Sequence, residues 1–333
     1  MRHYRRRRGV YISPLAAAAA VLAALLAAYL VLRLLESGEP PAPSGEPGQT
    51  ELREPADREP PELSLPERVT TASGIPCTRA ALEEAQIYTG ELILVNNQVL
   101  YRFPEEEPPL VSIYEEKNSS YYVRDMEVLL SPAAMEPLNR MLEDFAAQGG
   151  SKTINVVAGY RTEEYQQHLF DQSARRSGQD HAERYVAQPG GSEHHTGLAV
   201  DFSILYRDGS SEDYDGSGEY AWINENCRDY GWVVRYEAGK ESLTGIWDEP
   251  WHFRYVGVPH AVEMAREGLC LEEYIDYLKG FPFEGDHLTI TCGTGSYEVW
   301  YTEGTEAVYL PDSGAYSISG NNVDGVIVTV QVG

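Results

Sequence analysis

Ser192-Glu193-His194-His195-Thr196-Gly197-Leu198-Ala199-Val200-Asp201-Phe202 is the stretch on which the fold turns. From Leu198 the residues alternate, so Leu198, Val200 and Phe202 face one side of a strand while Ala199 and Asp201 face the other. An aspartate inside so apolar a strand is costly unless something pairs it. A metal ion answers that cost, with His194 arriving from the loop before Gly197.

The same logic applies to Glu249-Pro250-Trp251-His252-Phe253-Arg254-Tyr255-Val256. Pro250 excludes a helix interior, so this is not the helical HExxH arrangement. As a strand, it puts His252 and Arg254 on one face and Trp251, Phe253 and Tyr255 on the other, with Glu249 one short step from His252. Two histidines and one carboxylate fit a catalytic zinc site whose fourth position is open to water. Zinc lowers the pKa of that water towards neutrality, and Glu249 is placed to take its proton as general base. A donor set without thiolates favours zinc, although related divalent ions could substitute. A lone strand histidine is more often a core residue; two such segments in one chain reverse that preference. Tyr236 could either donate its hydroxyl to the site or pack against it.

HxxGxAxD at 194–201 and EPWH at 249–252 resemble the zinc D-alanyl-D-alanine carboxypeptidases of the VanY type. The resemblance runs in order from Gly90-Glu91-Leu92-Ile93-Leu94-Val95-Asn96 through Gly159-Tyr160-Arg161, Gly231-Trp232 and Arg235-Tyr236 to Leu271-Glu272-Glu273-Tyr274. It implies an α+β fold shared with the hedgehog signalling domain, with a central antiparallel sheet and flanking helices. Carried over position by position, it implies zinc ligands His194, Asp201 and His252, with Glu249 as base and Arg161 reaching the substrate. It places Ser192 and Gln166 along the peptide site and gives His195 no ligand role. The implied reaction removes D-alanine from peptidoglycan stem peptides ending in D-Ala-D-Ala. Two rival readings keep the same metal: an L,D-carboxypeptidase acting on tetrapeptides, and a cell-wall-binding module whose zinc is structural. Ser192, Gln166 and the loop near Tyr206–Tyr220 are the expected pocket walls that would separate the first two.

Outward from the motifs, the chain divides by composition. Arg2 and Arg5 to Arg8 precede an apolar run from Leu15 to Leu32. Eighteen residues at ~1.5 Å each span ~27 Å, close to the hydrocarbon core of a bilayer. The basic cluster stays inside, so residues 1–35 read as a tail and membrane anchor that leaves the catalytic domain outside a bacterial cell membrane, the alternative for so alanine-rich a run being a cleaved signal peptide. Residues 36–79, rich in proline and glutamate, read as an extended linker. The carboxypeptidase domain is expected over 80–280 and a small β appendage over 281–333.

Within the domain, Leu92, Leu94 and Val95 are followed by an Asn96-Asn97 turn and a second apolar run, Val99–Phe103. Ser131-Pro132 opens a helix whose Met135, Leu138, Met141, Leu142 and Phe145 form a core stripe. Ile154–Ala158 is a short strand, and Thr162 caps a helix running to Gly178. Short strands are expected at His287–Thr291, Tyr297–Tyr301, Ala307–Leu310 and Val326–Val332.

Acidic residues outnumber basic ones, 52 to 26, for a net charge of -26, which excludes a nucleic-acid partner. Cys77, Cys227, Cys270 and Cys292 form no CxxC pair, so a cysteine metal site is not expected. Cys227 and Cys270 could close a disulfide loop worth roughly 4 kcal/mol, or stay as two buried thiols.

Overall fold

The computed structural model describes residues 65–332, so the expected anchor and most of the linker lie outside the described residues. Among the described residues, no helix is long and apolar enough to cross a membrane.

Six strands form the central sheet, in the order Tyr122–Val123, Ile154–Ala158, Ala199–Leu205, Glu249–Tyr255 and Trp232–Tyr236, with Ser211–Asp213 paired to the end of Ala199–Leu205. All pairings are antiparallel except at one edge, where Tyr122–Val123 runs parallel to Ile154–Ala158. The alternation read from Leu198 onward is realised. Leu198, Val200 and Phe202 pack with Phe253 and Tyr255 into one core, and Asp201 and His252 face the other way as direct cross-strand partners. Against that core lies the helix Pro132–Ala147, which buries Met135, Leu138, Met141, Leu142 and Phe145 and runs on through Pro137. Each buried side chain of this size contributes roughly 1.5–3 kcal/mol.

Two irregularities in the sheet fall beside the site. One extra residue enters Ile154–Ala158 opposite Asp201, and the register slips again between Glu249 and Phe253, around Pro250. Proline has no N–H to give a ladder, so a bulge is where a strand tolerates it. Bulges also re-aim neighbouring side chains, here Glu249 and His252.

The domain boundaries differ from the compositional expectation. Arg68–Thr70 and Pro76–Ala80 pair as a hairpin, and Pro76–Ala80 also pairs with Val308–Pro311, so the linker's expected end is already sheet. Nor is 281–333 a separate appendage. Its four-stranded antiparallel sheet, Leu288–Cys292, Gly295–Glu303, Gly325–Gln331 and Tyr316–Gly320, contributes Leu288, Ile290, Val299 and Ile327 to a core shared with Leu92, Leu94, Met264, Tyr274 and Ile275. A cut at 280 would pass through that core. The apolar stretch at 92–95 is buried, and Asn96 Oδ1 accepts the N–H groups of Gln98 and Val99 at 2.8 Å each, so the turn forms without flanking strands.

Candidate metal centre

His194 is carried by a single turn of 3₁₀ helix, Glu193–Thr196, that ends on Gly197 in the left-handed region (φ 68°). A side chain there would be strained and would meet Leu110 Cδ2 at 2.8 Å. Behind His194, Gly159 lies so close to the Leu129 carbonyl that any Cβ would collide with it. That closeness brings the Gly159 carbonyl to 2.6 Å from His194 Nδ1. Nδ1–H therefore donates to Gly159, and Nε2 carries the lone pair towards Asp201, 3.2 Å from Oδ2.

His252 Nδ1 lies 2.9 Å from Asp201 Oδ1, and one donor atom from each of His194, Asp201 and His252 falls within 4.8 Å of the others. Buried His194 Nε2 has no hydrogen-bond partner among the described residues. A buried, unsatisfied ring nitrogen facing a carboxylate and a second imidazole is what a divalent cation would satisfy. Nitrogen and carboxylate donors in this number suit zinc.

The electrostatics around these donors pull in different directions. Burial, helped by the Arg161 charge, pushes His194 down to about 4. Burial would also lower His252, but the hydrogen bond to Asp201 and the neighbouring carboxylates of Glu193 and Glu249 outweigh it and lift the ring to about 9. Burial would raise Asp201, yet the charges of His194 and Arg161 hold it well below the usual carboxylate range. Glu249 enters from the bulged strand, with Oε2 4.0 Å from His252 Nδ1. Burial lifts its carboxyl to about 7, against the pull of His252 and with the help of Asp201.

All seven residues expected at the site line one cleft of about 450 Å³: Arg161, Gln166, Ser192, His194, Asp201, Glu249 and His252. Arg161 Nη2 donates to Asp201 Oδ2 at 2.6 Å and Nη1 reaches Gln166 Oε1 at 3.4 Å. Gln166 is fixed in turn by donating to the Ala187 carbonyl at 2.8 Å. His195 is not a donor to the site. It locks the loop instead, with Nδ1 2.7 Å from the Arg161 carbonyl and Nε2 accepting the Gly190 N–H at 3.1 Å. Tyr236 is buried and tilts its ring over His252, 4.9 Å between centroids.

The walls differ from expectation. No residue of the Tyr206–Tyr220 loop lines the cleft; its far side is built by Leu169, Gln172, Ser173 and Arg176 of the helix Glu163–Ser177, and by Tyr185, Val186 and Ala187. Cys227 and Cys270 are both free thiols, and Cys270 caps the helix Leu271–Leu278.

Sequence reasoning assigned no role to four charged residues under the cleft. Arg235 pairs with Glu193 and Glu272, and Arg254 pairs with Glu193, all well buried. The signal was available, since Arg235 and Arg254 each interrupt an apolar strand, and buried charges demand partners.

An α+β layer that holds two histidines, an aspartate and a nearby glutamate in one cleft defines a metallopeptidase of the hedgehog-like, D,D-peptidase class. Residues 127–258 match the profile of VanY, D-alanyl-D-alanine carboxypeptidase. A D-alanyl-D-alanine carboxypeptidase of Enterococcus faecium is 34% identical over 256 residues, which are 76% of this chain and 78% of that protein. The bifunctional D-Ala-D-Ala dipeptidase and D-Ala-D-Ala carboxypeptidase VanXYC of Enterococcus gallinarum is 36% identical over 157 residues, 46% of this chain and 81% of that protein. Among solved structures, the D,D-dipeptidase VanXYg in complex with a D-Ala-D-Ala phosphinate analog superposes with a TM-score of 0.68 at 32% identity, covering 77% of this chain and 99% of that one. The chain belongs to the VanY family of D-alanyl-D-alanine carboxypeptidases.

Proposed function

We propose that this protein is a zinc D,D-carboxypeptidase that hydrolyses the terminal D-Ala-D-Ala bond of peptidoglycan stem peptides. The observation that carries this reading is Glu249, whose carboxylate stands 4.0 Å from a ligand nitrogen with its pKa lifted to about 7. A purely structural zinc has no use for such a base, whereas a hydrolase needs one poised near the operating pH.

His194, Asp201 and His252 would hold the zinc, which supplies Lewis-acid polarisation of the scissile carbonyl and a water acidified towards neutrality. Glu249 accepts the proton of the attacking water as the new C–O bond forms. It returns that proton to the amine of the departing D-alanine as the C–N bond breaks. Arg161, held at the rim by Asp201 and Gln166, offers its planar fork to the terminal carboxylate or to the developing oxyanion. Ser192 and Gln166 line the peptide path beside it.

The same reading places the enzyme outside the cytoplasm, tethered to the bacterial cell membrane by the apolar run 15–32, and is supported by the arginines that precede that run. Protease shaving of intact cells checks it, because an external domain is removed and an internal one survives.

The decisive assay measures D-alanine released by the zinc-loaded protein from a pentapeptide ending in D-Ala-D-Ala and from the matching tetrapeptide. Release from the pentapeptide is expected. Release chiefly from the tetrapeptide would move the specificity to L,D cleavage, and release from neither, with zinc bound, would leave a wall-binding module.

A further inference from the structure

Glu193 lies between Ser192 and His194, 1% exposed, where a carboxylate cannot stand unpaired without a heavy desolvation cost. Its two oxygens are used unequally. Oε1 accepts from Arg235 Nε at 2.8 Å and from Arg254 Nη1 at 2.9 Å. Oε2 has no hydrogen-bond partner among the described residues and stands 3.5 Å from His252 Nε2, which also has none. A carboxylate that served only to neutralise arginine would engage it fork to fork, as Glu272 does with Arg235 at 2.9 and 2.7 Å. Two guanidinium groups on one oxygen leave the other aimed at an imidazole.

We propose that Glu193 is a positioning residue for His252. Oε2 accepts the Nε2 proton, holds the ring in the Nε2–H tautomer and turns the Nδ1 lone pair towards Asp201 and the metal position. The inference rests on the metal reading given above. His194 is fixed in the opposite tautomer by the Gly159 carbonyl, so the two histidines present different nitrogens, each set by a partner behind the ring. The partner of His252 is charged, which also makes its ring the more basic donor.

This role gathers sequence segments the catalytic scheme leaves idle. Arg254 Nη2 donates to the carbonyls of Glu91 and Ile93 at 2.9 and 3.0 Å, and Glu272 takes Asn96 Nδ2 at 3.0 Å as well as Arg235. The 91–96 segment and the helix Leu271–Leu278 thus hold the two arginines that hold Glu193.

Three proteins test the proposal, each as the full chain: wild type, Glu193→Gln and Glu272→Gln. In zinc-loaded wild type labelled with ¹⁵N-histidine, long-range proton–nitrogen spectra should show His252 protonated at Nε2 and metal-bound at Nδ1. That measurement needs no variant to fold. Zinc affinity, read by competition with a chelator, should weaken on the order of 10- to 100-fold in Glu193→Gln, and the His252 Nε2 proton should exchange faster. Glu272→Gln removes a charge from the same buried network without touching His252 and should leave zinc affinity unchanged. Binding of His252 through Nε2, equal zinc affinity in wild type and Glu193→Gln, or equal weakening by both variants would overturn this inference alone. A wild-type protein that binds no zinc would overturn the metal reading and this inference with it.

Discussion

Two buried histidines, His252 in the cleft and His260 at the junction with the C-terminal sheet, are equally hidden, each 4% exposed. They are shifted in opposite directions. His260 is hydrogen-bonded to neutral groups, with Nδ1 2.8 Å from the Tyr274 hydroxyl and Nε2 2.9 Å from that of Thr329, and burial alone pushes it down to about 3. His252 has carboxylates on both sides, and they lift it to about 9 in spite of the same burial. Burial does not decide what a histidine does; the charge of its partners does. The cleft gathers charge to hold and use a cation. The junction keeps charge off His260 and joins the 258–267 and 271–278 helices to the Gly325–Gln331 strand.

The largest expected effect tests whether the junction is structural at all. A chain ended at Gly280 loses Leu288, Ile290, Val299 and Ile327 from the core they share with Leu92 and Tyr274. It should fail to fold cooperatively, which near-ultraviolet circular dichroism and urea unfolding would reveal. A stable, active truncation would restore the idea of an appendage. Next comes the cleft. Glu249→Gln should lower kcat for D-alanine release by ~10²–10⁴-fold while zinc content and thermal stability hold. Arg161→Lys keeps a charge but loses the fork that meets Asp201 and Gln166 together. It should cost on the order of 10² in kcat/KM, and an unchanged value would remove Arg161 from the substrate's path.

The cleft was far more legible in the sequence than the junction, and the reason is physical. Asp201, His252 and Arg254 stand out because charge inside an apolar strand must be answered. Their register follows from simple alternation, and Asp201 and His252 do pair directly. What could not be read was which partner each charge takes, because Glu193 reaches Arg235 and Arg254 across 42 and 61 residues. The junction gives weaker signals still. Arg68–Thr70 and Pro76–Ala80 are short, polar and partly exposed, so composition merges them with the linker. Tyr316–Gly320 reads Tyr-Ser-Ile-Ser-Gly, too small and polar for an apolar alternation to mark it, yet it pairs along the whole of its length with Gly325–Gln331. Such strands owe their existence to the neighbour they pair with, and no local propensity announces them.

The smallest expected effect is also the one that isolates the comparison, because it separates the junction from the cleft by pH. The unfolded chain takes up a proton on His260 near pH 6.5, whereas the folded protein resists until about 3. Between those values the unfolded state binds more protons, so stability falls as pH falls, by up to ~1.4 kcal/mol per pH unit. Above about pH 6.5 both states hold the ring neutral and this residue contributes no pH dependence. His260→Gln keeps a donor and an acceptor for Tyr274 and Thr329 but does not titrate. Urea unfolding at pH 7 and pH 5 should therefore show wild type losing about 2 kcal/mol more than the variant over that interval. His252, with its pKa raised, has the opposite sign, whereas His194, pushed down to about 4, shares the sign of His260; both are common to wild type and variant, so the difference between the two proteins reports His260 alone. Equal losses in wild type and His260→Gln would mean that the ring is already solvated or charged in the folded protein, and the contrast between the two histidines would disappear.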